Sequence, residues 1–232
     1  GSVMSSAARK LMSASGGGGG GGAIAVAHTG TPYVTAYSWD VDNGFGGKFT
    51  NPSTLPTNSG RGVAFSPDGS AIAVSHISSP NVSAYPWSGS GFGTKFADPA
   101  TLPVNSGYNV TFSPDGSTIA VCSATSPRIQ AYPWSGSGFG TKYANPATLP
   151  SSSGWGVAFS PDGSAIAVAH TSSPYVSAYP WSGSGFGSKF SNPSTLPAGN
   201  GNGVAFSPDG SALAVAHATS PYVSAYPWSG SG

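Results

Sequence analysis

The stretch that decides the fold is residues 151–170, SSSGWGVAFSPDGSAIAVAH. Its centre, GVAFSPDGSA, occurs four times in identical or nearly identical form, and Phe65, Phe112, Phe159 and Phe206 recur every 47 residues. Trp87, Trp134, Trp181 and Trp228 keep the same step. Trp39 stands one residue further back, because the first copy carries DVDNGFGG where later copies read SGSGFGT or SGSGFGS. A period in the forties, made only of short apolar runs and turn residues, is the signature of a β-propeller with one blade per repeat.

Each repeat divides into four short strands. The first is GVAF (62–65), closed by SPDGS, whose Pro, Asp and Gly suit a tight hairpin turn. The second, AIAVSH (71–76), alternates Ile72, Val74 and His76 with Ala71, Ala73 and Ser75, a period of two. The third is NVSAYPW (81–87), in which Pro86 marks an end or an interruption. The fourth, TKFADP (94–99), stops at its proline. No stretch keeps a helical period, so the expected fold is all-β: a five-bladed β-propeller of four-stranded antiparallel blades over 23–232, with 1–22 as a Gly-rich leader.

The ends complicate that count. The first copy begins at its second strand, with Ala23, and the last ends after its third, with Trp228. The innermost strand of the first blade and the outermost of the last are therefore missing from the pattern. Open sheet edges invite association, so the leader is expected to help close one ring per chain. Residues 10–15, KLMSAS, are placed on the last blade, and Gly16–Gly22 sits where an innermost strand belongs, with a flexible tether as the alternative. Near-identical repeats also allow strand exchange between chains.

Composition narrows the function. Gly 35 and Pro 21 would suit a disordered chain, but 12% aromatic residues in strict register argue for a packed one. Charged residues are only 6% of the chain with a net charge of +1, so nothing attracts nucleic acid or an anionic membrane. No apolar run is long enough to span a bilayer. The single cysteine, Cys122, takes the place of Ser75, Ala169 and Ala216 in other copies and reads as a packed thiol.

VAFSPDG, IAVAH and YVSAYPW together resemble the repeats of WD40-type and YVTN-type propellers, over residues 23–232. The chain departs from the WD40 pattern in lacking the GH pair and the WD dipeptide, near whose place Tyr85-Pro86 stands, so the YVTN pattern is the closer one. Some YVTN-like propellers are lactonases, which keeps a lactonase-like enzyme as one alternative. The wording SPYVSAYPWSGSGFGTKYANPATLP also resembles bacteriophage-encoded repeat proteins, and that resemblance implies a virion or extracellular protein.

Residues that every blade repeats belong to the scaffold. His28, His76, His170 and His217 end the second strands and read as structural; Lys48, Lys95, Lys142 and Lys189, one per outer segment, read as edge protection. The chain has no glutamate, and four of its seven aspartates, Asp68, Asp115, Asp162 and Asp209, are turn residues. No carboxylate pair, Ser-His-Asp set or metal-ligand spacing occurs, so no enzyme, cofactor or metal site is expected.

The residues that differ between blades are the informative ones. Before the first strand stand Arg61, Tyr108, Trp155 and Asn202; before the third stand Tyr33, Asn81, Arg128, Tyr175 and Tyr222. Alternating strand direction puts both sets on one face. Drift alone on a Ser/Thr/Asn surface would give small polar residues, whereas these are large planar or multi-donor side chains of the kind that anchor ligands. The expected function is non-catalytic recognition of a cell-surface glycan or protein at one asymmetric site on that face, with structural decoration or assembly as the competing reading.

Overall fold

The computed structural model describes residues 9–10 and 22–231. Among the described residues all regular structure is extended, in five antiparallel sheets that follow one another along the chain. The first blade holds β1 (Arg9–Lys10), β2 (Gly22–Ala27), β3 (Val34–Asp40) and β4 (Gly44–Lys48); the second holds β5 (Gly60–Phe65), β6 (Ala71–His76), β7 (Val82–Ser88) and β8 (Gly91–Phe92). The third holds β9 (Gly107–Phe112), β10 (Thr118–Ser123), β11 (Ile129–Ser135) and β12 (Gly138–Phe139). The fourth holds β13 (Gly154–Phe159), β14 (Ala165–His170) and β15 (Val176–Pro180), and the fifth β16 (Gly201–Phe206), β17 (Ala212–His217) and β18 (Val223–Pro227). The chain is a five-bladed β-propeller.

Each SPDG turn is a small hydrogen-bonded knot. In the second blade Ser66 Oγ donates to Asp68 Oδ1 (2.6 Å), and that same carboxylate oxygen accepts from Ser70 N (3.0 Å). The Ala71 amide donates back to Ser66 Oγ (2.9 Å), and Gly69 takes φ +71°, a conformation that glycine adopts without Cβ strain. The seryl hydroxyl first, and the following backbone N–H second, hold all four turn carboxylates below the usual range, Asp209 down to about 2.

Alternation along β6 and β7 sorts the side chains of a blade into two faces. Ala71, Ala73, Val82 and Ala84 pack on Val110, Phe112, Ile119, Val121 and Tyr132 of the next blade. The same junction, small residues against large ones, recurs between the first and second, third and fourth, and fourth and fifth blades. Cys122 lies in the junction between the third and fourth blades, fully buried, and burial pushes its thiol up. The YPW tryptophan clamps each junction. Trp134 meets Phe112 and Phe139 of its own blade edge-on at 5.3 and 5.2 Å, and Phe96 of the preceding blade at 5.3 Å.

Two strand expectations need correction. The outer strand is not TKFADP (94–99) but the two-residue β8, with Gly93 N→Pro86 O (2.8 Å) and Phe96 N→Ala84 O (2.9 Å) continuing the pairing. Pro86 is the reason. Its carbonyl faces outward to accept from Gly93 N (2.8 Å), so its missing N–H lies on the same side and cuts the outer ladder. In the first blade Ser38 occupies that position, and β4 runs for five residues. The inner strand begins earlier than expected, at Gly60 and not at Gly62.

The expected closure also differs. Lys10, the one described residue of the 10–15 segment, pairs with Ala25 of the first blade and not with the last; the remainder of that segment and Gly16–Gly21 lie outside the described residues. Innermost position in the first blade goes instead to Arg9–Lys10. Among the described residues no apolar cluster joins the fifth blade to the first. Val223 is 56% exposed, while its equivalents Val82 and Val176 are at 0% and 3%.

Two of the second-strand histidines, His76 and His170, are structural. His76 is fully buried; its Nδ1 donates to Ser78 O (2.8 Å) and its Nε2 accepts from Ser83 Oγ (3.0 Å). His170 repeats this with Ser172 O and Ser177 Oγ. In the third blade Ser123 and Gln130 exchange the small and large partners of that pair. Burial lowers His76 and His170 from 6.5 to about 4.

Two predictions follow from these packing and protonation states. The native state keeps both histidines neutral, so their contribution is full above pH 6.5 and falls as pH drops from 6.5 toward 4, on the order of 2–3 kcal/mol each. A second loss begins below 3.8, as the unfolded carboxylates protonate while the turn aspartates resist. Thermal melts across pH 2–8 should show both windows, and His76→Asn with His170→Asn should remove the upper one. Trp134→Ala should lower the unfolding free energy by about 3–5 kcal/mol in denaturant titration, through loss of a clamp shared by two blades.

Candidate functional site

The four variable inner-strand residues share one structural cause. Gly60 pairs with His76 and Gly62 with Ser75, so Arg61 has no partner on β6 and forms a β-bulge. Tyr108, Trp155 and Asn202 are the bulge residues of β9, β13 and β16 in the same way. A bulge re-aims its side chain away from the sheet. Strand register puts these bulges at the same end of the sheets as the turns carrying Tyr33, Asn81, Arg128, Tyr175 and Tyr222.

The residues on either side of the bulge have no such freedom. A Cβ on Gly60 would collide with the Tyr33 carbonyl, and one on Gly62 would come within 2.8 Å of Asn109 Cα in the next blade. Gly107, Gly154 and Gly201 abut the carbonyls of Asn81, Arg128 and Tyr175 in turn, and Gly156 would come within 2.8 Å of Gly203 Cα. Backbone approach between blades therefore demands glycine before the bulge and, in two of the four copies, after it, and leaves the bulge residue itself free to vary. The signal was present in the sequence as GRG, GWG and GNG, with Asn109 replacing the second glycine in GYN.

The structure brings some of these side chains together. Tyr108 and Trp155 stack with ring centroids 5.0 Å apart and a tilt of 39°, both half-buried. Arg61 is half-buried on the same rim, and its Nε is buried without a protein partner. Asn202 is exposed. Together they offer an aromatic platform, a guanidinium and an amide on one rim.

The five residues before the third strands also shape the junctions between blades. All take positive φ, from 68° to 71°, and the carbonyls of the first four stand against the glycines of the next blade. Asn81 is buried and donates from Nδ2 to Pro103 O (2.7 Å); Arg128 donates from Nη1 to Pro150 O (3.0 Å). Both tie down the segment leading into the following blade. Tyr33 and Tyr175 are half-buried beside the same junctions, and Tyr222 is 64% exposed.

One Ser-His contact sits on this face. Ser151 Oγ lies 3.2 Å from His170 Nδ1. That nitrogen already carries the proton donated to Ser172 O, and Ser151 itself donates to Ser173 O (2.8 Å), so the imidazole does not act as its base.

No protein-family model matches the chain, and no curated protein matches it in sequence. Its fold matches many solved structures. A candidate 6-phosphogluconolactonase from Bacteroides uniformis superposes with a TM-score of 0.68 at 14% identity, over 88% of this chain and 63% of that one. A second, from Bacteroides fragilis, gives 0.64 at 14% identity over 84% and 60%, and a chain of a mitotic checkpoint complex gives 0.59 at 16% identity over 87% and 56%. The chain thus spans about 60% of the length of the lactonase-type structures it resembles. At these identities the likeness establishes the fold. It also corrects the expectation of a non-enzyme: that expectation rested on missing motifs, and the scaffold is shared with proteins described as lactonases.

Proposed function

We propose that the rim formed by Arg61, Tyr108, Trp155 and Asn202 binds a sugar-derived ring, and that a sugar lactone is its substrate. The Tyr108–Trp155 pair supports the reading most directly, because two adjoining half-exposed rings suit the apolar face of a pyranose. Arg61 adds a half-buried cationic guanidinium, suited to a lactone carbonyl, and Asn202 adds hydroxyl recognition. The likeness to lactonase-type propellers favours this substrate class over other sugar rings.

In such a reaction water adds to the lactone carbonyl carbon, and the tetrahedral oxyanion is stabilised by the Arg61 guanidinium. The ring C–O bond then breaks, the ring oxygen takes a proton from water, and an aldonic acid leaves. The chain has no glutamate, its SPDG aspartates and those of the β3–β4 turn lie at the opposite end of the strands, and Asp98 is paired with Lys95, so solvent activates the attacking water. One oxyanion donor of this kind contributes on the order of 10²–10³ in rate.

Titration of acid release from glucono-δ-lactone and its 6-phosphate tests this. Wild type should exceed the buffer rate, Arg61→Gln should lower kcat/KM roughly 100-fold, and Tyr108→Ala with Trp155→Ala should mainly raise KM. No acceleration by wild type, or equal rates in Arg61→Gln, would overturn turnover.

The same aromatic rim favours a second reading, recognition of a glycan or protein on a cell surface by a virion or extracellular protein. A glycan array would then give binding by wild type that the Tyr108→Ala, Trp155→Ala protein loses; unchanged binding would remove the rim from this role.

A further inference from the structure

Inside the chain one junction is built four times, from a face of small residues on one blade and a face of large ones on the next. The fifth blade carries the small-residue face again, as Ala214, Ala216, Val223 and Ala225. Nothing among the described residues covers it. Ala216, Val223 and Ala225 are exposed, whereas Val82 and Ala84, the second-blade equivalents of the latter two, are at 0% and 1%. The glycine pattern agrees. A Cβ on Gly62 or Gly156 would crowd the next blade's backbone, but one on Gly203 would meet only Ala216 of its own blade, at 3.8 Å.

The opposite end of the molecule carries the other half of the junction. Ile24, Val26 and Tyr37 stand where Ile72, Val74 and Tyr85 stand in the second blade, and those three pack on the first blade's alanines and Val34. Val26 and Tyr37 are only half-buried.

We propose that the small-residue face of the fifth blade binds the first blade of a second copy of this chain, head to tail. The intermolecular contact continues the intramolecular one: Val223 and Ala225 take the places of Val82 and Ala84, and Val26 and Tyr37 those of Val121 and Tyr132. Such an interface is heterologous, so it generates closed rings or open rows and not a two-fold dimer.

Sedimentation velocity from 1 to about 200 µM reads this directly, with singly blocked variants. Wild type should grow from monomer to dimer and larger species. Val223→Asp, at an exposed position, should associate at least ten-fold more weakly, and Ala225→Arg should do the same. Val26→Asp, checked for folding by circular dichroism, should block the other end. Each blocked protein alone should be monomeric, while a 1:1 mixture of Val223→Asp and Val26→Asp should give a dimer and stop there. A wild type that stays monomeric at every concentration would overturn the proposal, as would association that persists in both Val223→Asp and Ala225→Arg. Should Val26→Asp not fold, the wild-type and fifth-blade variants alone decide it.

Discussion

The close backbone approach between successive blades is the constraint on which the molecule depends. Gly60 against the Tyr33 carbonyl and Gly62 against Asn109 Cα bring inner strands together with no room for a side chain. Alanines behind them then meet the branched and aromatic residues of the neighbouring blade, and a tryptophan locks the outer rim of each contact. In a stack of this kind each unit is stabilised by its neighbours more than by itself, so faithful copying of the junction residues is a physical requirement.

That requirement also explains where variation is allowed. A bulge residue has no ladder partner and points off the sheet, so Arg61, Tyr108, Trp155 and Asn202 are free of the packing that fixes their neighbours. Because the inner strands are drawn together, the bulge side chains also converge, as the Tyr108–Trp155 contact shows. Scaffold and site are thus separated by a single residue in the sequence.

Much of the fold is legible in the sequence. The 47-residue step of the phenylalanines and tryptophans defines the blades, and the alternation of AIAVSH defines both the second strand and its two faces. What was not legible depended on backbone direction. Pro86 was visible, but only the orientation of its carbonyl shows why the outer strand shrinks to two residues. The glycines flanking position 61 were visible, but a bulge is a matter of register between strands. Asn81 and Arg128 looked like ligand anchors because their bonds to Pro103 and Pro150 join residues 22 apart. Absent catalytic motifs say least, since the scaffold is shared with candidate lactonases.

The repeats supply their own internal standard for the claim that the junctions, and not the strands, carry the stability. VSAYP occurs without change in β7 (82–86), β15 (176–180) and β18 (223–227), so intrinsic amide exchange rates in the three are alike. Native-state hydrogen exchange on dilute, monomeric protein compares the Ser and Tyr amides of each VSAYP, which face the second strand, in three settings that differ chiefly in the neighbouring blade. Strong and similar protection of β7 and β15, with β18 exchanging at least a hundred-fold faster, is the predicted result. Equal protection of all three would contradict it, because it would mean that the fifth blade is held as firmly with Val223 exposed as the others are with Val82 and Val176 packed.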